Sequence, residues 1–135
     1  MKVFVYGTLK PGEGNYLRYC AGKVVEAHRA TVLGRLFTLP MGYPAMTTGK
    51  DTVHGYLLTF ADLGVLATLD ELEDYRPDRA MSENLYNRQS AEVYNLLGSS
   101  LGLAWVYLMY PQRVEQLGGI YLPDGCWSCN SFKCL

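Results

Sequence analysis

Val3, Phe4, Val5 and Tyr6 form an unbroken run of β-branched and aromatic residues near the start of the chain. A half-exposed strand would alternate, so this run predicts a strand buried on both faces. It leads into Gly7-Thr8-Leu9, and the Pro and Gly positions of Lys10-Pro11-Gly12-Glu13 predict a type II turn. Asn15 is placed to cap a short helix over 16–21 that ends at Gly22. Residues 23–39 are rich in β-branched side chains and partly alternating, which predicts a strand or a bent strand pair with Gly34 at the bend, ended by Gly42-Tyr43-Pro44. A polar turn is expected over 47–51 and a strand over 53–59. Thr59 then caps a helix over 60–75, with Asp62 in its first turn. The charged stretch 75–85, which contains Pro77, reads as an exposed excursion, a candidate flap. Residues 88–97 and 103–110 predict a hairpin, and 121–135 an irregular C-terminal tail.

This β-α-β-β-α-β-β order predicts an α+β domain with a mainly antiparallel, curled sheet and one principal helix beside the short one. With 135 residues, 49% of them hydrophobic, a single domain over 1–135 has material for a full core. Twelve basic residues nearly balance thirteen acidic ones, and no block of one sign occurs. That argues against nucleic acid or an acidic membrane as partner and favours a small molecule. Residues 93–112 carry no charge, but Asn95, Gly98, Gly102 and Pro111 interrupt them, so a hairpin is the better reading than a membrane span. Met1-Lys2 passes straight into strand residues without a leader pattern, so a cytoplasmic location is expected.

Two segments carry candidate chemistry. A loop such as Gly7-Thr8-Leu9 is able to turn successive backbone N–H groups toward one point and hold a carboxylate or a developing oxyanion; the other reading is an ordinary strand-turn. Gly7 and Gly12 stand at P-loop spacing, but Glu13-Gly14 replaces the Lys and Ser/Thr that would meet phosphate and magnesium, so the nucleotide reading fails. In the second helix Leu66, Leu69 and Glu73 fall within one arc at about 100° per residue, while Glu71 and Asp74 lie off it. Glu73 is then either a solvated carboxylate at a fraying end or a desolvated one at the mouth of a cavity. Tyr43, held before a proline, either walls a pocket or simply packs. Cys126 and Cys129 form a C-x-x-C pair with Cys134 beyond, but no fourth zinc ligand accompanies them, since His28 and His54 are distant in sequence. The pair follows Pro123-Asp124-Gly125 rather than opening a helix, so these read as thiols without a metal or redox role, and Cys20 as a small core residue.

Residues 3–12, with Asn15 following, resemble the signature opening of the γ-glutamylcyclotransferase-like family, also called the avirulence-induced-gene family, nearest the branch that acts on γ-glutamylamines. Gly34-Arg35-Leu36, Gly42-Tyr43-Pro44-Ala45 and Val53-His54-Gly55-Tyr56 resemble its next strands and turn. Leu69-Asp70-Glu71-Leu72-Glu73 resembles its catalytic Leu-Asp-x-x-Glu, and Tyr86-Asn87-Arg88 its Tyr-x-Arg. Gly125-Cys126-Trp127 resembles its closing Gly-Asp-Trp, with Cys where the acid is expected. The resemblance implies a small mixed β-barrel with the Tyr6 loop and the Glu73 helix meeting over its mouth. It implies Glu73 as general acid/base, the Gly7-Thr8-Leu9 backbone on substrate oxygens, Tyr6 and Tyr43 along the glutamyl stem, and Arg88 for charge balance. The reaction would close a γ-glutamyl amide to 5-oxoproline and free amine without cofactor or metal. The alternative is a binding or regulatory module that keeps the same pocket without turnover.

Overall fold

The computed structural model describes residues 1–128, so Cys129 and Cys134 lie outside the described residues. Strands β1 (Lys2–Val5), β2 (Val24–Thr38), β3 (Pro44–Phe60), β4 (Asn87–Tyr94) and β5 (Ser100–Leu108) pair in the order β3-β1-β5-β4-β2, and β2 pairs back onto β3. The sheet therefore closes into a five-stranded barrel. β1 and β5 run parallel, and the other pairings are antiparallel. A short β6 (Ile120–Tyr121) extends β2 on the outside. Helices α1 (Tyr16–Tyr19), α2 (Gly64–Leu72) and α3 (Pro111–Gln116) and a 3₁₀ turn over Met81–Glu83 complete the fold. This is the small mixed, mainly antiparallel barrel expected.

β1 lies between β3 and β5, with one face in the strand-built cluster and the other under the helices, which is why both its faces are apolar. Phe4 and Tyr6 join Val32, Leu36, Val53, Leu57, Val93 and Val106 in a cluster built from the strands and closed by Trp127. Val3 and Val5 face the other way and pack with Val65 and Leu69 of α2, Val114 of α3 and Cys20. The loop after β1 thus leaves from a strand fixed on both sides.

Several local expectations are corrected. Residues 47–51 are no turn: β3 continues through them, and its register against β2 jumps from Gly34↔Asp51 to Arg35↔Thr47. Thr48, Gly49 and Lys50 form an exposed bulge, whose polar composition imitates a turn. A Cβ at Gly49 would stand 2.5 Å from Arg35 Cγ, so a larger residue would push the bulge off β2. α2 begins at Gly64 and not at Phe60, because Phe60 stays in β3 and donates its N–H to the Met1 carbonyl at 2.8 Å. Thr59 accordingly caps nothing, and Asp62 Oδ1 accepts the Gly64 N–H at 2.7 Å instead. Asn15 makes no side-chain cap; it donates to Thr8 Oγ1 at 3.0 Å. The 75–85 excursion is tied down by Arg79 on the Asp74 carboxylate at 2.7 Å and by the buried Asn84, which holds the Arg76 backbone and Asn87. α3 was not expected; Pro111 opens it and Val114 is buried.

Of the tail expected to be irregular over 121–135, Tyr121 belongs to β6 and residues 122–128 form no helix or strand, yet this irregular stretch is bonded to the barrel. Leu122 donates its N–H to Leu36 O at 2.8 Å, Gly125 O accepts from His54 at 2.7 Å, and Trp127 is buried with its indole N–H on Thr38 Oγ1 at 3.3 Å. Trp127→Ala is therefore expected to cost about 3–5 kcal/mol by opening a cavity. Urea unfolding is the check: a lower midpoint at unchanged slope is the expected outcome, and a parental midpoint would contradict it. No helix among the described residues is long and apolar enough to cross a membrane.

Candidate active site

Where β1 gives way to its loop and α2 ends, the surface folds inward to a cavity of about 270 Å³. That is the lower end of small-molecule pocket sizes. One wall is the Gly7-Thr8-Leu9 loop. Its carbonyls are used in the turn: Gly7 O accepts from Lys10 N–H at 3.0 Å and Thr8 O from Asn15 N–H at 2.9 Å. The Lys10 carbonyl accepts from Glu13 N–H at 2.9 Å, the expected turn bond. The N–H groups of Gly7, Thr8 and Leu9 donate to no acceptor among the described residues. The loop is braced from below by two buried charged side chains: Lys10 Nζ donates to the Trp127 carbonyl, and Glu13 accepts from Ser128 Oγ at 2.6 Å. Pro44 presses on the loop from the cavity side, and a Cβ on Gly7 would fall 2.6 Å from Pro44 Cγ.

Glu73 forms the facing wall. It caps the C-terminus of α2, with its N–H on the Leu69 carbonyl at 2.9 Å, and the left-handed Asp74 (φ 54) turns the chain away after it. Leu69 is buried while Glu71 and Asp74 are exposed, as the helical arc required. No hydrogen bond or ion pair reaches the Glu73 carboxylate among the described residues. Burial alone pushes its pKa up from 4.5 to about 7. At neutral pH this group both accepts and returns a proton with little driving force either way.

Tyrosines complete the lining. Tyr6 donates its hydroxyl to the Tyr107 carbonyl at 2.5 Å, and Tyr86 donates to the Pro44 carbonyl at 2.6 Å. Burial, reinforced by the Glu73 charge, raises the pKa of Tyr6, Tyr86 and Tyr107, so all three stay neutral. Tyr43, half-buried, lines the cavity beside Pro44.

Six of the expected site residues, Tyr6, Gly7, Thr8, Leu9, Tyr43 and Glu73, thus surround one cavity. Arg88 does not line it. Its guanidinium pairs with the Asp70 carboxylate and lies over the rings of Trp105 and Tyr75, 4.6 and 5.2 Å from their centroids. Asp70 projects from the helix turn before Glu73, a partner that sequence spacing gave no reason to set against β4. Sequence reasoning missed Asn15, Tyr86 and Tyr107 as lining residues. Tyr86 carried a signal in the Tyr-x-Arg motif; Tyr107 carried none beyond strand periodicity. No basic side chain among the described residues lines the cavity. Among the described residues no group of three or more His, Cys, Asp and Glu side chains is placed to hold a metal ion.

Residues 3–129 match the sequence profile of the family described as gamma-glutamyl cyclotransferase, AIG2-like. The chain is 31% identical over 105 residues to the gamma-L-glutamyl-butirosin B gamma-glutamyl cyclotransferase of Niallia circulans, covering 78% of this chain and 65% of that protein. It is 32% identical over 132 residues to a provisionally named gamma-glutamylcyclotransferase of Vibrio cholerae, covering 93% of each. Among solved structures, an AIG2-like protein from Mus musculus superimposes with a TM-score of 0.66 at 24% identity, over 94% of this chain and 87% of that one. At that identity the likeness is one of fold. The chain belongs to the gamma-glutamyl cyclotransferase, AIG2-like family.

Proposed function

We propose that the protein closes γ-glutamyl amides to 5-oxoproline and releases the free amine, with Glu73 as the proton carrier. The observation that carries this reading is a carboxylate with a pKa of about 7 sharing a cavity with three backbone N–H groups, neither of them partnered among the described residues. An intramolecular reaction has its nucleophile in the substrate, so the protein needs only to orient, to move protons and to stabilise the oxyanion.

The α-ammonium gives a proton to Glu73, and the amine nitrogen then forms a bond to the γ-carbonyl carbon. Negative charge develops on the carbonyl oxygen, where the Gly7-Thr8-Leu9 N–H groups are its donors. Glu73 returns its proton to the leaving nitrogen, the old C–N bond breaks, and the carbonyl re-forms. The ring nitrogen sheds a second proton, and the departing amine takes up one to leave as ammonium. Protons and charge balance, and no protein nucleophile is consumed. Tyr6 and Tyr43 are the side walls along the glutamyl stem.

Among the described residues no cationic side chain lines the cavity, so these residues offer nothing to a carboxylate on the leaving group. γ-Glutamylamines are therefore the preferred class over γ-glutamyl amino acids or glutathione. Assaying 5-oxoproline release across these three classes tests the reading: the amines should show the highest kcat/KM. Glutathione as the best substrate would overturn the preference. Binding of 5-oxoproline with no turnover of any member would replace the enzyme by a binding module.

A further inference from the structure

Asp70 does not line the cavity, yet it ties together elements that do. Its Oδ1 accepts the Tyr107 hydroxyl at 2.8 Å, and its Oδ2 accepts Arg88 Nη1. Tyr107 is a cavity wall, and its carbonyl in turn holds the Tyr6 hydroxyl at 2.5 Å. Arg88 and Tyr107 stand directly opposite in the β4–β5 ladder, so both bonds anchor one carboxylate to one rung of the barrel. Asp70 lies in the last turn of α2 and Glu73, three residues on, caps it, so the two are neighbours on one side of the helix end. The Asp70 and Arg88 side chains are each only 18% exposed. Burying two charges is costly and often no better for stability than apolar packing, whereas it fixes geometry and leaves no net charge.

We propose that Asp70 is a positioning residue of this site: by accepting from Tyr107 and Arg88 at once, it sets the last turn of α2, and with it Glu73, against the cavity wall, and offsets the Arg88 charge that would otherwise act on Glu73. The inference rests on Glu73 being the proton carrier. Among the described residues, the titratable groups sharing the cavity with Glu73 are the phenols of Tyr6 just after β1, Tyr43 before β3, Tyr86 before β4 and Tyr107 from β5. Among the described residues, the formal charges about this end of α2 are Asp70 with Arg88, Asp74 with Arg79 at 2.7 Å, Arg76 with Asp78 at 3.3 Å, Glu71, which is exposed, and Arg113, whose field reaches Asp74. Of these the Asp70–Arg88 pair is bonded to a cavity-wall side chain, the Tyr107 hydroxyl, whereas of that wall Asp74 meets only the backbone N–H of Leu85.

The test compares Asp70→Asn, Arg88→Met and the double variant with the parent, reading kcat and KM on a γ-glutamylamine and the ionisation midpoint of Glu73 by carboxyl-carbon NMR with labelled glutamate. Asp70→Asn leaves the Arg88 cation uncompensated, which favours ionised Glu73 and lowers its midpoint; Arg88→Met leaves Asp70 uncompensated and raises it. The double variant, neutral again, should return the midpoint to near the parental value. Each single variant should lose about tenfold or more in kcat with KM changed by no more than about twofold, the signature of misplacement rather than lost binding. Folded single variants with parental kcat and an unmoved Glu73 midpoint would overturn the proposal. If Arg88→Met does not fold, Asp70→Asn and the double variant still make the comparison. A parent that releases no 5-oxoproline would sink the cyclisation reading, while the NMR midpoint would still report whether Asp70 and Arg88 act on Glu73.

Discussion

Glu73→Gln lowers turnover of γ-glutamylamines by about 10²–10⁴-fold while 5-oxoproline still binds, if the carboxylate is the proton carrier. Gln keeps the shape and polarity of the side chain and removes only its basicity. The parent's kcat/KM should climb as pH rises through about 7, where Glu73 loses its proton, and that limb should vanish in the variant. Stability moves in the opposite direction. Burial raises the folded pKa from 4.5 to about 7, so the protonated group stabilises the fold fully below pH 4.5 and that contribution is lost as pH rises to about 7. Above that window the desolvated carboxylate opposes folding by up to about 3 kcal/mol, less whatever water in the cavity screens. Glu73→Gln should therefore melt higher than the parent at pH 8 and converge with it near pH 4. An inert structural carboxylate in an ion pair would give a less stable variant at pH 8 with full activity, and that pair of results would remove Glu73 from the mechanism.

What the sequence disclosed and what it withheld divide along the range of the interactions involved. β1 and its loop were legible because an unbroken apolar run needs no partner to be recognised, and the type II turn depends on Pro11 and Gly12 alone. Glu73 was legible because Leu66, Leu69 and Glu73 share a helical arc whatever that helix packs against. The bulge at Thr48-Gly49-Lys50 was misread because its polar residues are typical of turns, and only the β2 ladder makes them a strand. α2 was begun too early for the same reason: Phe60 belongs to β3 through the Met1 carbonyl, a bond spanning 59 positions. Arg88 was set in the pocket on resemblance, since its actual partner, Asp70, is 18 residues away on another element. The buried Lys10 and Glu13 looked like turn charges because the groups that receive them, at Trp127 and Ser128, lie at the far end of the chain.

Gly7→Val should abolish binding and destabilise the fold together, and the cause is a neighbour rather than the substrate. In the structure even the first carbon of a side chain would stand 2.6 and 2.9 Å from the Pro44 ring. A proline ring has no rotamer with which to retreat, so either the loop or Pro44 must shift. If the loop moves, the three N–H groups leave their common wall. If Pro44 moves, it takes Tyr43 beside it and the carbonyl that holds the Tyr86 hydroxyl. Both routes damage the same cavity. Overpacking of this kind costs about 1–3 kcal/mol, and displacement of the donors by about 1 Å lowers turnover by about 10²-fold. Gly7→Ala, which adds that first carbon and nothing more, separates packing from substrate exclusion: it should show most of the stability loss already. Thermal melts and 5-oxoproline titrations on both variants are the check. A Gly7→Ala protein as stable as the parent and with parental affinity would mean that Pro44 yields freely and that the loop does not depend on it for its position.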